Sequence, residues 1–228
     1  MAELRVNDVT FGYPGASPLL RRISFHITTG ETVALVGENA CGKTTLLRIM
    51  AGLLSPTEGQ VTLDGRPGHE FSSRVALLFQ NPDHQMIAAT VEEEIALGME
   101  LRGVDPKRMR QVVDAFLVRF QLKDLKHRSP ETLSGGQKQR VALAAVMALK
   151  PEFLLLDEPD SFLDGPSRRE FRDAVDIVRS ETGILWVSPD PRKMPAAHRF
   201  LFLDNHVLVE CTADELRQRA ARDIYATV

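Results

Sequence analysis

The sequence predicts an α/β protein: a parallel sheet flanked by helices, preceded by an antiparallel β subdomain and interrupted by a helical insert. Three observations predict it. Continuous apolar runs of strand length recur at 32–36, 153–156 and 184–187, the pattern of strands buried on both faces. A polar-faced helical stretch around 167–180 separates the last two, and strand alternating with helix is how a parallel sheet is built. Ahead of these runs, residues 4–10 and 23–27 alternate or cluster apolar and β-branched side chains on either side of a turn at 12–18, as antiparallel strands do.

The other elements follow in chain order. Residues 61–63, before Asp64-Gly65, extend the small antiparallel sheet. The run at 32–36 leads into a Gly-rich turn and then a helix that Gly52 closes. From 91 to 120 the pattern is helical, and 135–150 is a further helical run that follows a Ser-Gly-Gly turn and stops at Pro151. Residues 200–203 and 206–210 form a closing hairpin, and 213–221 a terminal helix. No repeat or low-complexity tract divides the chain, so a single domain is expected over 1–228. Within it, 1–88 and 150–228 form the β subdomain and sheet core, and 89–149 the helical insert.

With 228 residues, 43% hydrophobic and 26% charged, the chain can bury a substantial core, which excludes disordered and fibrous classes. A net charge of -3 gives no global basic field, so nucleic acid is not an expected partner. Two cysteines, Cys41 and Cys211, are too few for a disulfide scaffold, and no secretory leader is recognisable, so a reducing, cytoplasmic setting is expected. The longest helical apolar stretch, 141–149, is about half of the roughly 20 residues needed to cross a bilayer, which leaves peripheral membrane association through another chain.

The chemistry is concentrated in two places. Gly37-Glu38-Asn39-Ala40-Cys41-Gly42-Lys43-Thr44 matches GxxxxGK(S/T), with a strand before it and a helix after it. The backbone N–H groups of such a P-loop point inward at phosphates, and the helix N-terminus adds partial positive charge. Lys43 is suited to the β- and γ-phosphates and Thr44 to Mg²⁺, with Thr45 completing the nucleotide-binding stretch. The second place is the end of Phe153-Leu154-Leu155-Leu156-Asp157-Glu158, a buried strand closing in two carboxylates where open α/β sheets bind ligands. Asp157 is suited to hold Mg²⁺ and Glu158 to orient or deprotonate an attacking water.

Leu133-Ser134-Gly135-Gly136-Gln137 resembles the signature sequence of the ABC ATPases, and it precedes a helix as in that family. The resemblance implies a P-loop NTPase (RecA-like) core with an N-terminal antiparallel β subdomain and a helical subdomain. It also implies ATP and Mg²⁺ as cofactors and two chains that sandwich two nucleotides. In that arrangement Ser134, Gly135, Gly136 and Gln137 approach the γ-phosphate held by the opposite chain. Tyr13 resembles the aromatic that stacks on adenine, although it could equally be a surface turn aromatic. Gln80 resembles the Q-loop glutamine that serves the metal and the reaction, although alone it could be a polar loop residue. Ser161-Phe162-Leu163-Asp164 resembles the D-loop.

The stretch Phe79-Gln80-Asn81-Pro82-Asp83-His84-Gln85-Met86, followed by Thr90-Val91-Glu92-Glu93-Glu94, is similar to the ATPases of energy-coupling-factor and cobalt-type importers. That resemblance implies a transmembrane scaffold subunit and a substrate-capture protein as partners and the cytoplasmic face of the cell membrane as location. It also implies a vitamin or metal ion as cargo, and a homodimer or a heterodimer with a second ABC ATPase. Many members carry a longer C-terminal extension than the residues that end at Val228.

Two departures stand out. The family's switch motif, Val-Thr-His-Asp, aligns with Val187-Ser188-Pro189-Asp190, so a proline replaces the histidine that contacts the γ-phosphate, and weak hydrolysis is expected. His198, further on, is expected to be structural. Ala40-Cys41 stands where the family commonly has Gly followed by a small residue. A methyl at 40 is expected to be tolerated only if φ stays negative there, and Cys41, near a helix N-terminus, to have a lowered thiol pKa unless it only fills space. Two other readings stay open: a soluble ABC ATPase of DNA repair or translation, and a regulatory subunit that binds ATP with little turnover. The first usually carries coiled-coil insertions or tandem domains; against the second stand Lys43, Asp157 and Glu158.

Overall fold

The computed structural model describes residues 1–67, 73–216 and 218. They divide into two compact units. The first takes in Met1–Leu77, Glu152–Glu158 and the residues from Arg179 on; the second takes in Leu78–Pro151 and Pro159–Val178.

The first unit holds the antiparallel sheet formed by β1 (Glu3–Phe11), β2 (Leu20–Thr28), β4 (Glu58–Leu63) and β5 (Arg66–Pro67), in the order β2-β1-β4-β5. Alternate residues of β1, among them Leu4 and Val6, are buried, as the period-2 pattern requires. The larger sheet contains β3 (Thr32–Gly37), β6 (Val75–Leu78), β7 (Phe153–Asp157), β8 (Gly183–Ser188), β9 (Arg199–Asp204) and β10 (Val207–Cys211), in the order β10-β9-β3-β8-β7-β6. β3 pairs parallel with β8 and β9, β7 pairs parallel with β8, and β9 and β10 form the closing hairpin. Every residue of β3, β7 and β8 is buried, which is why those strands read as unbroken apolar runs. One core joins the two sheets, with Leu4, Ile27, Leu35, Leu47, Phe153 and Leu185 among its members.

The second unit is helical: α2 (Val91–Glu100), α3 (Pro106–Arg119), α4 (Gly135–Met147) and α5 (Gly165–Asp176), with α2 packed on α3 and α4, and α4 on α5. The helical run expected from 91 to 120 is two helices, because Gly103 turns left-handed at φ +67° and Asp105 caps a new start before Pro106. α5 begins at Gly165, two residues before the expected start, because Asp164 accepts a hydrogen bond from Ser167 N. β6 had no counterpart in the sequence reading; its four residues are too few to show a period. Of the expected terminal helix, 213–216 are helical, and most of the remainder lies outside the described residues.

Phe153 is fully buried, and a Cβ at Gly183 would lie 2.6 Å from its ring, so the β7–β8 contact is closely fitted there. Phe153→Ala is expected to cost about 3–5 kcal/mol of stability. Urea unfolding checks this as a lower midpoint at an unchanged m-value.

Candidate functional site

In the first unit, β3 delivers Gly37 to the carboxyl end of the parallel strands, and α1 (Lys43–Met50) begins six residues later. The turn depends on Gly42. Its φ is +111°, and a Cβ there would come within 2.9 Å of Leu20 Cδ2, so conformation and space both require glycine. Lys43 is 4% exposed, and its ammonium donates to the carbonyls of Gly37 (2.8 Å) and Glu38 (2.6 Å), holding the loop around the charge. Glu38, Asn39 and Ala40 are exposed along the loop.

The structure decides both open points of this loop. Ala40 has φ +63°, so the condition of a negative φ is not met, and its methyl is carried in the left-handed region at a strain cost that glycine would avoid. Burial pushes the Cys41 thiol up rather than down; Lys43 and nearby backbone N–H groups oppose the shift without overcoming it. Cys41 packs against the core and acts as a small filler, not as a ready thiolate.

The first turn of α1 reaches two other segments. Thr44 Oγ1 donates to Asp157 Oδ1 at 3.1 Å, joining the loop to the end of β7. Thr45 Oγ1 lies 3.2 Å from the hydroxyl of Tyr13, whose ring stands edge-on to Phe11 at 5.0 Å and remains 42% exposed. Asp157 is buried, and desolvation raises its pKa; the Thr44 hydrogen bond lowers it, and the neighbouring Glu158 charge raises it again. Glu158 has φ +48°, with its N–H bonded to Val187 O at 3.2 Å.

At the end of β8, Ser188 Oγ accepts from Asp190 N at 3.1 Å, and Asp190 pairs with the Arg192 guanidinium, which holds its carboxyl below the ordinary range. Pro189 between them supplies no side-chain donor and no N–H. His198 is structural as expected: its Nδ1 accepts from Thr32 N at 2.9 Å and its backbone N–H donates to Thr32 O at 2.8 Å.

The second unit carries the other candidate residues. Ser134 caps α4 in a reciprocal capping box: its hydroxyl accepts from Gln137 N at 3.3 Å, and Gln137 Oε1 accepts from Ser134 N at 3.0 Å. The two glycines between them differ. A Cβ on Gly136 would meet Ser167 at 2.6 Å, so that glycine lets α4 and α5 approach, whereas around Gly135 the nearest atom is at 3.7 Å. Gln80 lies in the loop after β6, partly buried. The loop is shaped by Gln85 Oε1, which accepts from Phe79 N, by Asn81, which caps the tight turn Pro82–His84, and by Glu94, which accepts from Ile87 N and Ala88 N at 2.9 and 2.8 Å.

The structure thus gathers Tyr13, 37–45, Asp157 and Glu158 within the first unit, and Gln80 and Ser134–Gln137 within the second. Sequence reasoning missed three polar anchors in the second unit. Glu94 is 5% exposed although it ends a Glu92-Glu93-Glu94 run that reads as a solvated face, Lys138 pairs with Asp83 at 2.5 Å, and Gln139 bonds Pro159 O at 2.7 Å. Glu94 could have been found from its helical phase, three residues after the buried Val91; nothing local singles out the other two.

Residues 20–161 match the ABC transporter family. The chain is 38% identical to the energy-coupling factor transporter ATP-binding protein EcfA1 of Thermotoga maritima, over 97% of this chain and 86% of the relative. It is 34% identical to the protein of the same name from Lactococcus lactis, over 98% of this chain and 82% of the relative. Among solved structures, cbiO1 from Clostridium perfringens, described as part of the ABC transporter complex cbiONQ, superposes with a TM-score of 0.80 at 25% identity, covering 96% of this chain and 92% of that one. Among the described residues no helix is long and apolar enough to cross a membrane.

The raised pKa of Asp157 fixes the sign of a pH effect. The folded state holds its proton more tightly than the unfolded chain, so this residue favours folding below the unfolded carboxylate pKa, and that contribution is lost as pH rises through the raised folded value. Asp157→Asn keeps an acceptor for Thr44 without the buried charge. It is expected to melt above the wild type at neutral pH in the absence of ligand, with the gap closing in acid. Thermal melts of both proteins across pH check this.

Proposed function

Because the chain belongs to the ABC transporter ATPase family, we propose that it is the ATP-binding and ATP-hydrolysing subunit that powers a membrane importer, of the energy-coupling-factor type, for a vitamin or metal ion. The observation that carries this reading is the joining of the glycine loop, the buried Lys43 and the Thr44–Asp157 pair at the carboxyl end of the parallel strands. Its relatives named as energy-coupling factor ATP-binding proteins favour the importer over a repair or translation ATPase.

In this reading 37–45 surround the phosphates of ATP, with backbone N–H groups and the Lys43 ammonium opposing their charge. Tyr13 offers its exposed ring to adenine, and the hydroxyl contact with Thr45 fixes that ring to the first turn of α1. Thr44 and Asp157 are hard oxygen donors already side by side, and a buried carboxylate whose charge is penalised suits a divalent cation; they would hold Mg²⁺. When bound, Mg²⁺ would neutralise charge on the β- and γ-phosphates. Glu158 orients the attacking water and takes up its proton. Ser134, Gly135, Gly136 and Gln137 receive the γ-phosphate bound by a second ATPase chain, the same or different, so that ATP closes the pair and hydrolysis reopens it. The loop 81–90 meets a transmembrane scaffold subunit that also carries a substrate-capture protein, which places the chain at the cytoplasmic face of the membrane.

Pro189 lowers the rate in this scheme. It removes one preorganised donor from the γ-phosphate, a loss that costs about 10²–10³ in rate at comparable oxyanion sites. Pro189→His is expected to raise ATP turnover of the isolated chain well above the wild type; equal, fast rates in a steady-state phosphate-release assay would count against this role.

The importer reading is tested by tagging the chain in its native cell, solubilising membranes in mild detergent and identifying what co-purifies. A small transmembrane scaffold is the expected partner, and a second ABC ATPase with a switch histidine identifies a mixed pair. Recovery only in the soluble fraction, with DNA or ribosomal partners, overturns the importer.

A further inference from the structure

Glu158 holds a backbone conformation that its context disfavours twice. Its φ of +48° lies in the left-handed region that non-glycine residues rarely occupy. It also precedes a proline, whose ring drives the preceding residue toward extended backbone. Such a conformation persists only where surrounding groups over-determine it. On the N-terminal side the restraint is the bond from Glu158 N to Val187 O. On the C-terminal side it is Gln139, in the second turn of α4, whose Nε2 donates to Pro159 O at 2.7 Å.

Gln139 is 1% exposed, and its Oε1 is buried without a hydrogen-bond partner among the described residues. An apolar side chain of the same size would fill this place and leave no orphaned carbonyl, so packing does not account for a glutamine here. What the glutamine adds is one donor, and that donor meets the peptide next to Glu158. The segment beyond is pinned separately. The Asp160 carboxylate accepts from Arg172 at 2.8 and 3.2 Å, and Leu163 O accepts from Arg168 at 2.7 Å.

We propose that Gln139 is a positioning residue for Glu158, and that it makes the placement of that carboxylate depend on the helix headed by Ser134. The inference rests on the reading that Glu158 serves the attacking water. In that scheme α4 meets the nucleotide of the opposite chain, and Gln139 passes a displacement of the helix to this chain's own Glu158 through Pro159 O. Each site thereby senses whether the other is filled, without a contact between the two nucleotides.

The test compares wild type with Gln139→Met, which keeps the volume and loses the donor, and Gln139→Glu, which sets a carboxylate against the Pro159 carbonyl. Each full chain, with any partner that co-purifies, is assayed for ATP affinity, thermal melting and single-turnover ATP cleavage, which resolves slow rates. Gln139→Met is expected to melt at or above the wild type and to bind ATP within about twofold, while cleavage slows roughly tenfold to a hundredfold, the scale of a misplaced catalytic group. Gln139→Glu is expected to be slower still. A Gln139→Met chain that cleaves at the wild-type rate, or that fails to fold, overturns the proposal. Wild-type protein that binds ATP without cleaving it overturns the reading of Glu158 instead, so the two failures are distinguishable.

Discussion

The hydrogen bond from Thr44 to Asp157 joins the first turn of α1 to the end of β7, and the first unit is arranged so that it can form. Parallel register does most of this. Leu35 stands beside Val187, and Val187 beside Asp157, so three strands end in one row with Gly37 just beyond it. Because β8 lies between β3 and β7, the loop after β3 must turn back sharply for α1 to lie against β7, which is where Gly42 is needed. The bond is not an efficient way to stabilise a fold, since it keeps a carboxylate where burial penalises its charge. Buried charge retained at the carboxyl end of a parallel sheet is more economically explained by a ligand than by folding.

What could be read in the sequence was whatever a short window determines. The buried strands β3, β7 and β8 are legible because both faces are covered and every position must be apolar. The phosphate loop is legible because its spacing is imposed by backbone geometry, and Ser134 because a capping box is four residues long. Ala40 and Cys41 stay open in the sequence because each depends on something outside the window. The φ of Ala40 is set by how the loop must close over Lys43, and the Cys41 thiol is governed by core packing that outweighs the helix N-terminus. Gln139 was invisible for the same reason, its partner being twenty residues away on another element.

The proline at 189 gains meaning from its neighbours. In the proposed reading an imidazole is missing here, and Ser188 and Asp190 flank the position with polar side chains. Ser188 Oγ accepts from Asp190 N within its own turn, and Asp190 is taken up by Arg192. The next histidine in the chain, His198, is bound to Thr32 at the start of β3, the opposite end of that strand from the phosphate loop. The substitution is therefore not repaired locally. On the proposed reading, a chain that keeps Lys43, Thr44, Asp157 and Glu158 while losing one polar partner beside them would fit a pair in which binding and cleavage are shared unequally.

The second unit answers a different mechanical problem: keeping several segments in fixed relation to one helix. Three consecutive residues of α4 point about 100° apart around its axis, and each holds a different stretch of chain. Lys138 holds Asp83 in the loop that follows Gln80, Gln139 holds Pro159, and Arg140 reaches Glu170 on α5. Apolar contacts alone would let α4 rotate or slide among nearly equal packings, whereas directional polar bonds are lost together when the helix turns. Gly136, pressed against Ser167, removes the room for such a turn at the same end of the helix. Ser134 thus heads a helix that is tied outward at three successive positions, and the tie through Gln139 ends beside Glu158, the residue proposed to meet water.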